Sequence, residues 1–177
     1  PTMLRAHDSR GNCGETLGAQ DAPGIGGGFG TLLRRDRGDG APCKVAVGYD
    51  GRLSSTMLEA ALVAGLTETG VDVVRVGMGP TPMLYYAEAS AEDVHGGIQI
   101  TGSHNPANYN GFKLVFNGRP FFGADILELG RMAERGDWLE PATEGQAEHR
   151  GVMGAYIDRL ITGLAGIAAT SLADLRR

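Results

Sequence analysis

A serine, a histidine and a lysine occupy one polar segment of the sequence. Ser103 and His104 are adjacent after an apolar run, and Lys113, one of two lysines in the 177 residues, lies ten residues after Ser103. Gly102 leaves the backbone accessible, and Asn105-Pro106 favours a turn. A serine oxygen beside basic side chains suits a phosphate ester, because a phosphoserine carries about −1.5 to −2 charge at neutral pH.

Each of these residues also has an ordinary structural interpretation. The hydroxyl of a serine after a strand commonly forms a hydrogen bond with the backbone of the following turn. His104 is equally consistent with a hydrogen-bonded structural histidine, and Lys113 with a charge on the surface of a strand. The residue types alone therefore leave the chemistry open, and only the whole string narrows it.

Three strings in the sequence carry a resemblance to a known family. Residues 101–113, TGSHNPANYNGFK, closely resemble the phosphoserine loop of the phosphohexomutases, in particular the phosphomannomutase/phosphoglucomutase group. Residues 7–17, with HDSRG and GETL, and residues 77–82, GMGPTP, fit the same family. The resemblance extends over most of residues 4–160, so the N-terminal domain of such an enzyme is expected.

The resemblance implies a role for each site residue. Ser103 would carry the phosphoryl group, give it to one hydroxyl of a hexose phosphate and take the other phosphate back, through a hexose 1,6-bisphosphate. Lys113 and His104 are both candidates for the acid/base step and for contact with the substrate. Arg10 is expected to bind substrate phosphate or to tune the site, with a surface ion pair to Asp8 as the ordinary alternative.

The resemblance also implies Mg²⁺ as a cofactor. In the family the ion binds one oxygen of the phosphoserine, here on Ser103, and three aspartates of a DGDxDR motif in the second domain. That motif is absent from this sequence. The segment 36–40, DRGDG, is similar only superficially, and we interpret it as a charged surface loop. The remaining ligands are therefore expected in a second domain.

The hydrophobic pattern predicts an α/β fold. Apolar strands and helices alternate, which implies a mainly parallel sheet with helices on its faces. The resemblance specifies a three-layer α/β/α domain with a mixed, mainly parallel sheet, as in domain 1 of the phosphohexomutases. The elements predicted up to the serine loop are a strand at 44–49, a helix at 56–68, a strand at 71–76, a helix beginning at Thr81-Pro82 and a strand at 97–101.

Ser103 follows the strand at 97–101, so it is expected at the carboxyl edge of the sheet, where ligands bind in α/β folds. The next strand, 112–116, begins too soon for a parallel crossover and is predicted to be antiparallel to the preceding one. The elements predicted after it are a tight turn at Asn117-Gly118 and helices at 125–135 and 152–164.

Two helices carry more specific expectations. Residues 24–30, GIGGGFG, lie where relatives have a helix, and we predict a frayed or weak helix there because each interior glycine costs about 1 kcal/mol relative to alanine. In the helix at 56–68, Thr56 and Glu59 have the spacing of a capping box. The apolar face predicted for that helix consists of Met57, Ala60, Ala61 and Ala64.

The expected domain organisation is residues 1–150 as domain 1 and residues 151–177 as a connector with the first helix of an incomplete second domain. Residues 136–151 are rich in glycine and polar types, which is typical of a connector. The chain is therefore expected to be inactive alone. The turn at residues 50–52, Asp-Gly-Arg, is interpreted as structural and not as part of the site.

Composition argues against several classes of partner. The net charge of −5 disfavours nucleic acid, and no apolar run approaches the roughly 18 residues of a membrane span. Cys13 and Cys43 form no CxxC pair and are expected to be free thiols. We therefore expect a cytoplasmic protein that binds hexose phosphates and hexose 1,6-bisphosphate, with no nucleic acid, no membrane and no obligate protein partner.

Two other functions remain as alternatives. A serine hydrolase would use Ser103 and His104, but its nucleophile elbow requires GxSxG, whereas the sequence reads TGSHN. Adjacent residues also rarely present their side chains to each other in triad geometry. The second alternative is a non-catalytic module that binds phosphosugars. A preference for mannose or for glucose does not follow from these residues.

Overall fold

One mixed sheet lies between two layers of helices. The computed structural model describes residues 4–5, 8–38 and 40–174, with side chains for 11–38 and 40–166. The strands are β1 (Leu4–Arg5), β2 (Asp8–Asn12), β3 (Lys44–Tyr49), β4 (Asp72–Met78), β5 (Gly96–Ile100), β6 (Tyr109–Phe116), β7 (Arg119–Phe121) and β8 (Ala147–His149). The helices are α1 (Ala22–Arg37), α2 (Ser55–Glu68), α3 (Thr81–Ser90), α4 (Ala124–Arg135) and α5 (Met153–Asp174).

The sheet has the order β1-β2-β6-β5-β3-β4-β8, with β7 paired to β6. The pairs β5–β3, β3–β4 and β4–β8 are parallel, and β6 runs antiparallel to β5, β2 and β7. All described strands except β1 and β6 therefore point in one direction. The predicted three-layer α/β/α fold with a mixed, mainly parallel sheet is confirmed, as is the antiparallel arrangement of the two strands around the serine loop.

Each face of the sheet has its own apolar core. Helices α1, α2 and α4 cover one face, where Phe29 is fully buried and its ring meets the rings of Phe116 and Phe121 with centroids 5.7 Å away in both cases. Helix α3 covers the other face with a smaller cluster around Leu84, against which Tyr156 of α5 packs. Strand β5 is buried at every position, as expected for a strand covered on both faces.

The sequence prediction selected the wrong face of α2. Leu58, Leu62 and Leu66 are buried, whereas Met57 is 50% exposed. Apolar residues of α2 occur on all sides of the helix, so the hydrophobic periodicity did not distinguish its two faces. The leucine side chains are larger than the alanines and bury more area against α1 and the sheet. The capping box does not form either: Ser54 is the N-cap residue without a side-chain cap, and the carboxylate of Glu59 instead receives two hydrogen bonds from a guanidinium of β4.

The prediction of a frayed or weak helix at residues 24–30 is wrong. Helix α1 is continuous from Ala22 to Arg37, and four of its glycines, at 26, 27, 28 and 30, face neighbouring elements. A Cβ at Gly26 would lie 2.5 Å from the carbonyl oxygen of Leu62, and a Cβ at Gly65 would lie 2.2 Å from that of Pro23. The two helix backbones therefore approach each other closely, and the burial that this approach permits offsets the low helix propensity of glycine.

The polar segment at 136–151 is more than a connector. Its residues 147–149 form β8, which pairs in parallel with Val73, Val74 and Arg75 of β4 and extends the sheet. Helix α5 begins near the predicted residue 152 and continues to Asp174, past the predicted end. The other predicted helices and strands and the Asn117-Gly118 turn are present where they were predicted, with small shifts at their ends, whereas β1, β2 and β7 were not predicted.

The contact between α1 and α2 can be tested by replacing single glycines of α1 with alanine. We expect Gly26→Ala to lower the free energy of unfolding by about 1–3 kcal/mol, because the new methyl group meets the backbone of α2. Gly24→Ala is the matched control, since a Cβ there has no neighbour within 4 Å. The control should be neutral or stabilise by up to about 1 kcal/mol. Urea unfolding followed by circular dichroism measures both, and equal effects of the two substitutions would contradict this account of the packing.

Candidate functional site

Three loops meet at the carboxyl ends of the parallel strands. The loop after β3 begins at Asp50, whose backbone N–H donates to the carbonyl of Ile100 over 2.9 Å. The loop after β4 contains Gly79, which donates to the carbonyl of Tyr49 and accepts a hydrogen bond from the buried side chain of Gln99. The loop after β5 carries the candidate serine. This edge of a parallel sheet is the usual position of ligand sites in α/β folds.

Ser103 lies exposed in a left-handed backbone conformation, with φ of 54°. This conformation costs a residue other than glycine roughly 1–2 kcal/mol, so the surrounding contacts must impose it. The N–H of Ser103 donates to the Thr101 hydroxyl over 2.9 Å, and the N–H of Asn105 closes a turn onto the Gly102 carbonyl over 3.0 Å. The loop therefore presents the serine hydroxyl to solvent on a fixed backbone.

The structure brings Ser103 and His104 together. The serine Oγ and the histidine Nδ1 are 3.3 Å apart. If the neutral tautomer carries its proton on Nε2, Nδ1 can accept the hydroxyl proton. Within the described side chains, the serine hydroxyl is the one hydrogen-bond partner of this imidazole. The predicted proximity of the two residues is thus present, without a described carboxylate that orients the histidine.

Lys113 and Arg10 lie on neighbouring strands of the same sheet. Lys113 stands in β6 opposite Gln99 of β5, is partly exposed, and forms no hydrogen bond or ion pair with the side chains that the structure describes. The backbone of Arg10 in β2 pairs with Gly111, two residues before Lys113. The side chain of Arg10 is outside the described part. No described contact joins Lys113 to Ser103, so their cooperation stays a prediction.

Asp50 and Arg52, interpreted from sequence as a structural turn, bind the serine loop directly. The carboxylate of Asp50 accepts from the backbone N–H of Gly102 over 3.2 Å, from the Ser55 hydroxyl over 2.7 Å and from the backbone N–H of Arg52 over 3.1 Å. Burial raises the pKa of Asp50, but these hydrogen bonds and one from the Thr101 hydroxyl outweigh burial and leave the pKa below its ordinary value. The carboxylate is therefore charged at neutral pH.

The guanidinium of Arg52 donates to the serine loop through both of its terminal nitrogens. Its Nε also contacts the Asp50 carboxylate over 3.2 Å. Sequence analysis missed this pair, although one signal was available: residues 50–52 directly follow β3, at the same sheet edge as Ser103. The carbonyl acceptors of the two terminal nitrogens are those of Pro106, Tyr109 at 2.8 Å, Asn105 at 2.7 Å and Ser103 at 3.1 Å.

A buried asparagine attaches the far end of the loop to α2. Asn110 is fully buried, and its side-chain nitrogen donates to the hydroxyls of Ser54 and Ser55 over 2.9 Å each. Its side-chain oxygen accepts the N–H of Gly111 over 2.9 Å. Both ends of the loop are therefore fixed to the β3–α2 connection, by Asp50 and Arg52 on one side and by Asn110 on the other.

The described residues do not supply a metal site. In residues 11–38 and 40–166, no group of three or more His, Cys, Asp or Glu side chains is placed to bind an ion. Asp36, in the segment interpreted as a surface loop, accepts a hydrogen bond from Asn117 over 2.6 Å. The backbone N–H of Asn117 donates to the carbonyl of His95 over 3.0 Å. His95 lies just before the start of β5, whereas Ser103 follows the end of that strand. Asp36 thus lies at the opposite edge of the sheet from the serine.

Two further observations concern the thiols and the helices. Cys13 and Cys43 are free, as predicted, and burial raises the pKa of Cys43 to about 11. In the described portion of the chain, every helix is too short or too polar to cross a bilayer.

Comparison with known proteins gives a family and a fold. Residues 2–139 match the family model described as phosphoglucomutase/phosphomannomutase, alpha/beta/alpha domain I. A phosphomannomutase of Salmonella montevideo is 38% identical over 179 residues, which cover 99% of this chain and 37% of the relative. A phosphomannomutase/phosphoglucomutase of Pseudomonas aeruginosa is 40% identical over 165 residues, which cover 93% of this chain and 34% of the relative.

A solved structure has the same fold. The crystal structure of a phosphoglucomutase/phosphomannomutase family protein from Burkholderia thailandensis superposes with a TM-score of 0.83 at 38% identity. The superposition covers 91% of this chain and 35% of that one. The chain thus spans about a third of the length of these relatives.

The Asp50 carboxylate should make the stability of the chain depend on pH. We expect Asp50→Asn to lower the free energy of unfolding at pH 7 by about 1–3 kcal/mol, because hydrogen bonds to a charged acceptor are lost. Since the folded-state pKa of Asp50 is lowered, its contribution is present above the ordinary value near pH 4 and disappears as the pH falls through the folded-state pKa.

The difference between wild type and Asp50→Asn should therefore narrow below about pH 4. Urea unfolding at a series of pH values measures it, with Asp158→Asn, at an exposed position of α5, as the control. A difference that stays constant from pH 7 to pH 3 would contradict the role of the charge.

Proposed function

Because the chain belongs to the phosphoglucomutase/phosphomannomutase family, we propose that it is the phosphoryl-carrying domain of a phosphohexomutase. The enzyme interconverts hexose 6-phosphate and hexose 1-phosphate, with mannose, glucose or both as the sugar. The observation that carries this proposal is the exposed, left-handed Ser103, whose hydroxyl lies 3.3 Å from His104 at the carboxyl edge of the sheet. A serine held in this way can carry a phosphoryl group.

The proposed cycle transfers phosphate in two steps. In the first step the bond between phosphorus and the Ser103 oxygen breaks, and a bond from phosphorus to a sugar hydroxyl oxygen forms. The sugar hydroxyl proton passes to Lys113 or His104, and the released Ser103 oxygen takes up a proton from His104 or from solvent. The product is hexose 1,6-bisphosphate. In the second step the bond between the other phosphorus and its sugar oxygen breaks, and a bond from that phosphorus to the Ser103 oxygen forms. The Ser103 proton can pass to Nδ1 of His104, which lies 3.3 Å from the serine oxygen, and the released sugar oxygen takes up a proton from Lys113 or His104. The net result moves phosphate between positions 6 and 1.

Charge neutralisation makes this exchange possible. A phosphoserine carries about −1.5 to −2 charge, and phosphoryl transfer depends mainly on positioning and on stabilisation of that charge. Arg10 and Lys113 are proposed to bind substrate phosphate, and the partial exposure of the Lys113 side chain supports its availability. His104 is proposed to contact substrate as well.

We also propose Mg²⁺ as the cofactor. The phosphate on Ser103 would provide one ligand, and the other ligands would come from a second domain, since the described residues hold no such set. When bound, the ion would add positive charge beside the transferred phosphoryl group.

A division at residue 150 is proposed for the same protein. Residues 1–150 form domain 1, and residues 151–177 form a connector and the first helix of a second domain. The support is the surface of α5, which leaves a row of apolar side chains exposed at Met153, Ile157, Leu160, Ile161 and Leu164. A cytoplasmic location is proposed on the two free thiols.

A hydrolase is the second candidate, because the contact between Ser103 and His104 would also suit a nucleophile and its base. Two observations argue against a hydrolase. The two residues are adjacent in sequence, and no described carboxylate contacts the histidine. A phosphosugar-binding module without catalysis describes the chain by itself equally well. The three functions differ in whether Ser103 becomes phosphorylated, is labelled by a fluorophosphonate, or does neither.

Removal of the Ser103 hydroxyl should abolish mutase activity. In the full gene product we expect Ser103→Ala to reduce kcat by several orders of magnitude with Mg²⁺ and glucose 1,6-bisphosphate present, because the phosphoryl carrier is gone. Ser90→Ala, at an exposed position at the end of α3, is the matched control and should keep wild-type kcat. A coupled assay for hexose 6-phosphate measures both. Wild-type rates for Ser103→Ala would rule out the carrier role.

The chain of 177 residues alone should show no mutase activity under the same conditions. Turnover by the isolated chain would show that the ligands and sugar-binding groups assigned to other domains are not needed. In the full gene product, intact-mass analysis after exposure to glucose 1,6-bisphosphate should find one added phosphate, mapped to Ser103 by peptide fragmentation. Labelling of Ser103 by a fluorophosphonate without a phosphate adduct would instead favour the hydrolase.

A further inference from the structure

Arg52 uses every hydrogen-bond donor that it has on the protein itself. A guanidinium carries five N–H donors, and this one has five acceptors within hydrogen-bond distance. Four of them are backbone carbonyls of residues 103–109, and the fifth is the carboxylate of Asp50. No donor is left for a ligand phosphate. The side chain therefore belongs to the support of the serine loop and not to substrate binding.

The guanidinium lies directly against the backbone that precedes the serine. A Cβ at Gly102 would stand 2.3 Å from Cζ of Arg52, so only glycine allows this approach. The next residue, Ser103, is the one with φ of 54°, and its carbonyl is one of the acceptors. The backbone of the serine thus turns around a partly buried cation, whose side chain is 14% exposed.

Asp50 fixes the direction of the guanidinium. Its carboxylate contacts Nε of Arg52 and also accepts the backbone N–H of Gly102, so one carboxylate orients both the cation and the first residue of the turn. We infer that Arg52, oriented by Asp50, is a positioning residue that holds Ser103 in its left-handed conformation and so aims the serine oxygen for phosphoryl transfer. This inference rests on the proposed mutase function.

Arg52→Lys in the full gene product is the decisive test. Lysine keeps the charge, but its three donors on one nitrogen cannot reach five acceptors. A serine oxygen displaced by about 1 Å lowers the rate of the chemical step about 100-fold, so we expect kcat for hexose 1-phosphate to fall by that factor. KM should stay within about threefold, because Arg52 has no donor free for substrate. The rate of Ser103 phosphorylation by glucose 1,6-bisphosphate should fall in parallel.

Two matched variants separate positioning from general stability. Arg34→Lys removes a guanidinium that also donates to a backbone carbonyl, that of Gly70, away from the serine loop, and it should keep wild-type kcat. Gly102→Ala should reproduce the loss of kcat with Arg52 in place, because the new methyl group displaces the guanidinium. Added guanidinium ion should partly restore the kcat of Arg52→Ala. If Arg52→Ala does not fold, Arg52→Lys and Gly102→Ala decide the question.

The outcomes also distinguish this inference from the proposed function. Wild-type kcat in Arg52→Lys or Gly102→Ala, combined with an inactive Ser103→Ala, would overturn the positioning role and leave the mutase function standing. An equal loss in Arg34→Lys would overturn it as well, since the effect would then be one of stability. A wild-type enzyme with no mutase activity, or an active Ser103→Ala, would remove the proposed function on which the inference rests.

Discussion

The position of the serine loop depends on one guanidinium and the carboxylate that orients it. Arg52 contributes bonds to four carbonyls of the loop, and Asp50 adds a bond to the N–H of Gly102. Charge-assisted hydrogen bonds in a partly buried setting are stronger than neutral ones, so the pair can hold Ser103 in a backbone conformation that a serine rarely adopts. A loop at the protein surface acquires a defined geometry because of this pair.

The pair itself depends on the layers beneath it. Asp50 follows β3, and the helix that begins at Ser55 packs its leucine face against α1, where Gly26 and Gly65 let the two backbones approach. Strand β3 lies between β4 and β5 at the centre of the parallel part of the sheet. The β3–α2 and β5–β6 connections therefore emerge side by side, and the guanidinium needs only the length of one side chain to join them.

The sequence predicted most of the fold because apolar strands and helices alternate clearly between residues 44 and 135. It also predicted Ser103 beside His104 at the carboxyl edge of the sheet, and these two residues are in contact. It selected the wrong face of α2, where apolar residues occur on all sides, and it assigned a weak helix to residues 24–30, where propensity was outweighed by tertiary packing. Strand β8 was missed because its three residues are exposed at the edge of the sheet.

The sequence by itself determined which residues are candidates for the chemistry, because the string around Ser103 resembles a known loop and the order of strands and turns is encoded locally. Only the tertiary structure decided what holds that loop. Arg52 and Ser103 are separated by some fifty residues of sequence, and no local pattern relates them. Their contact arises because two strand ends lie next to each other in the folded sheet, where a carbonyl-lined turn requires a cation to satisfy its acceptors.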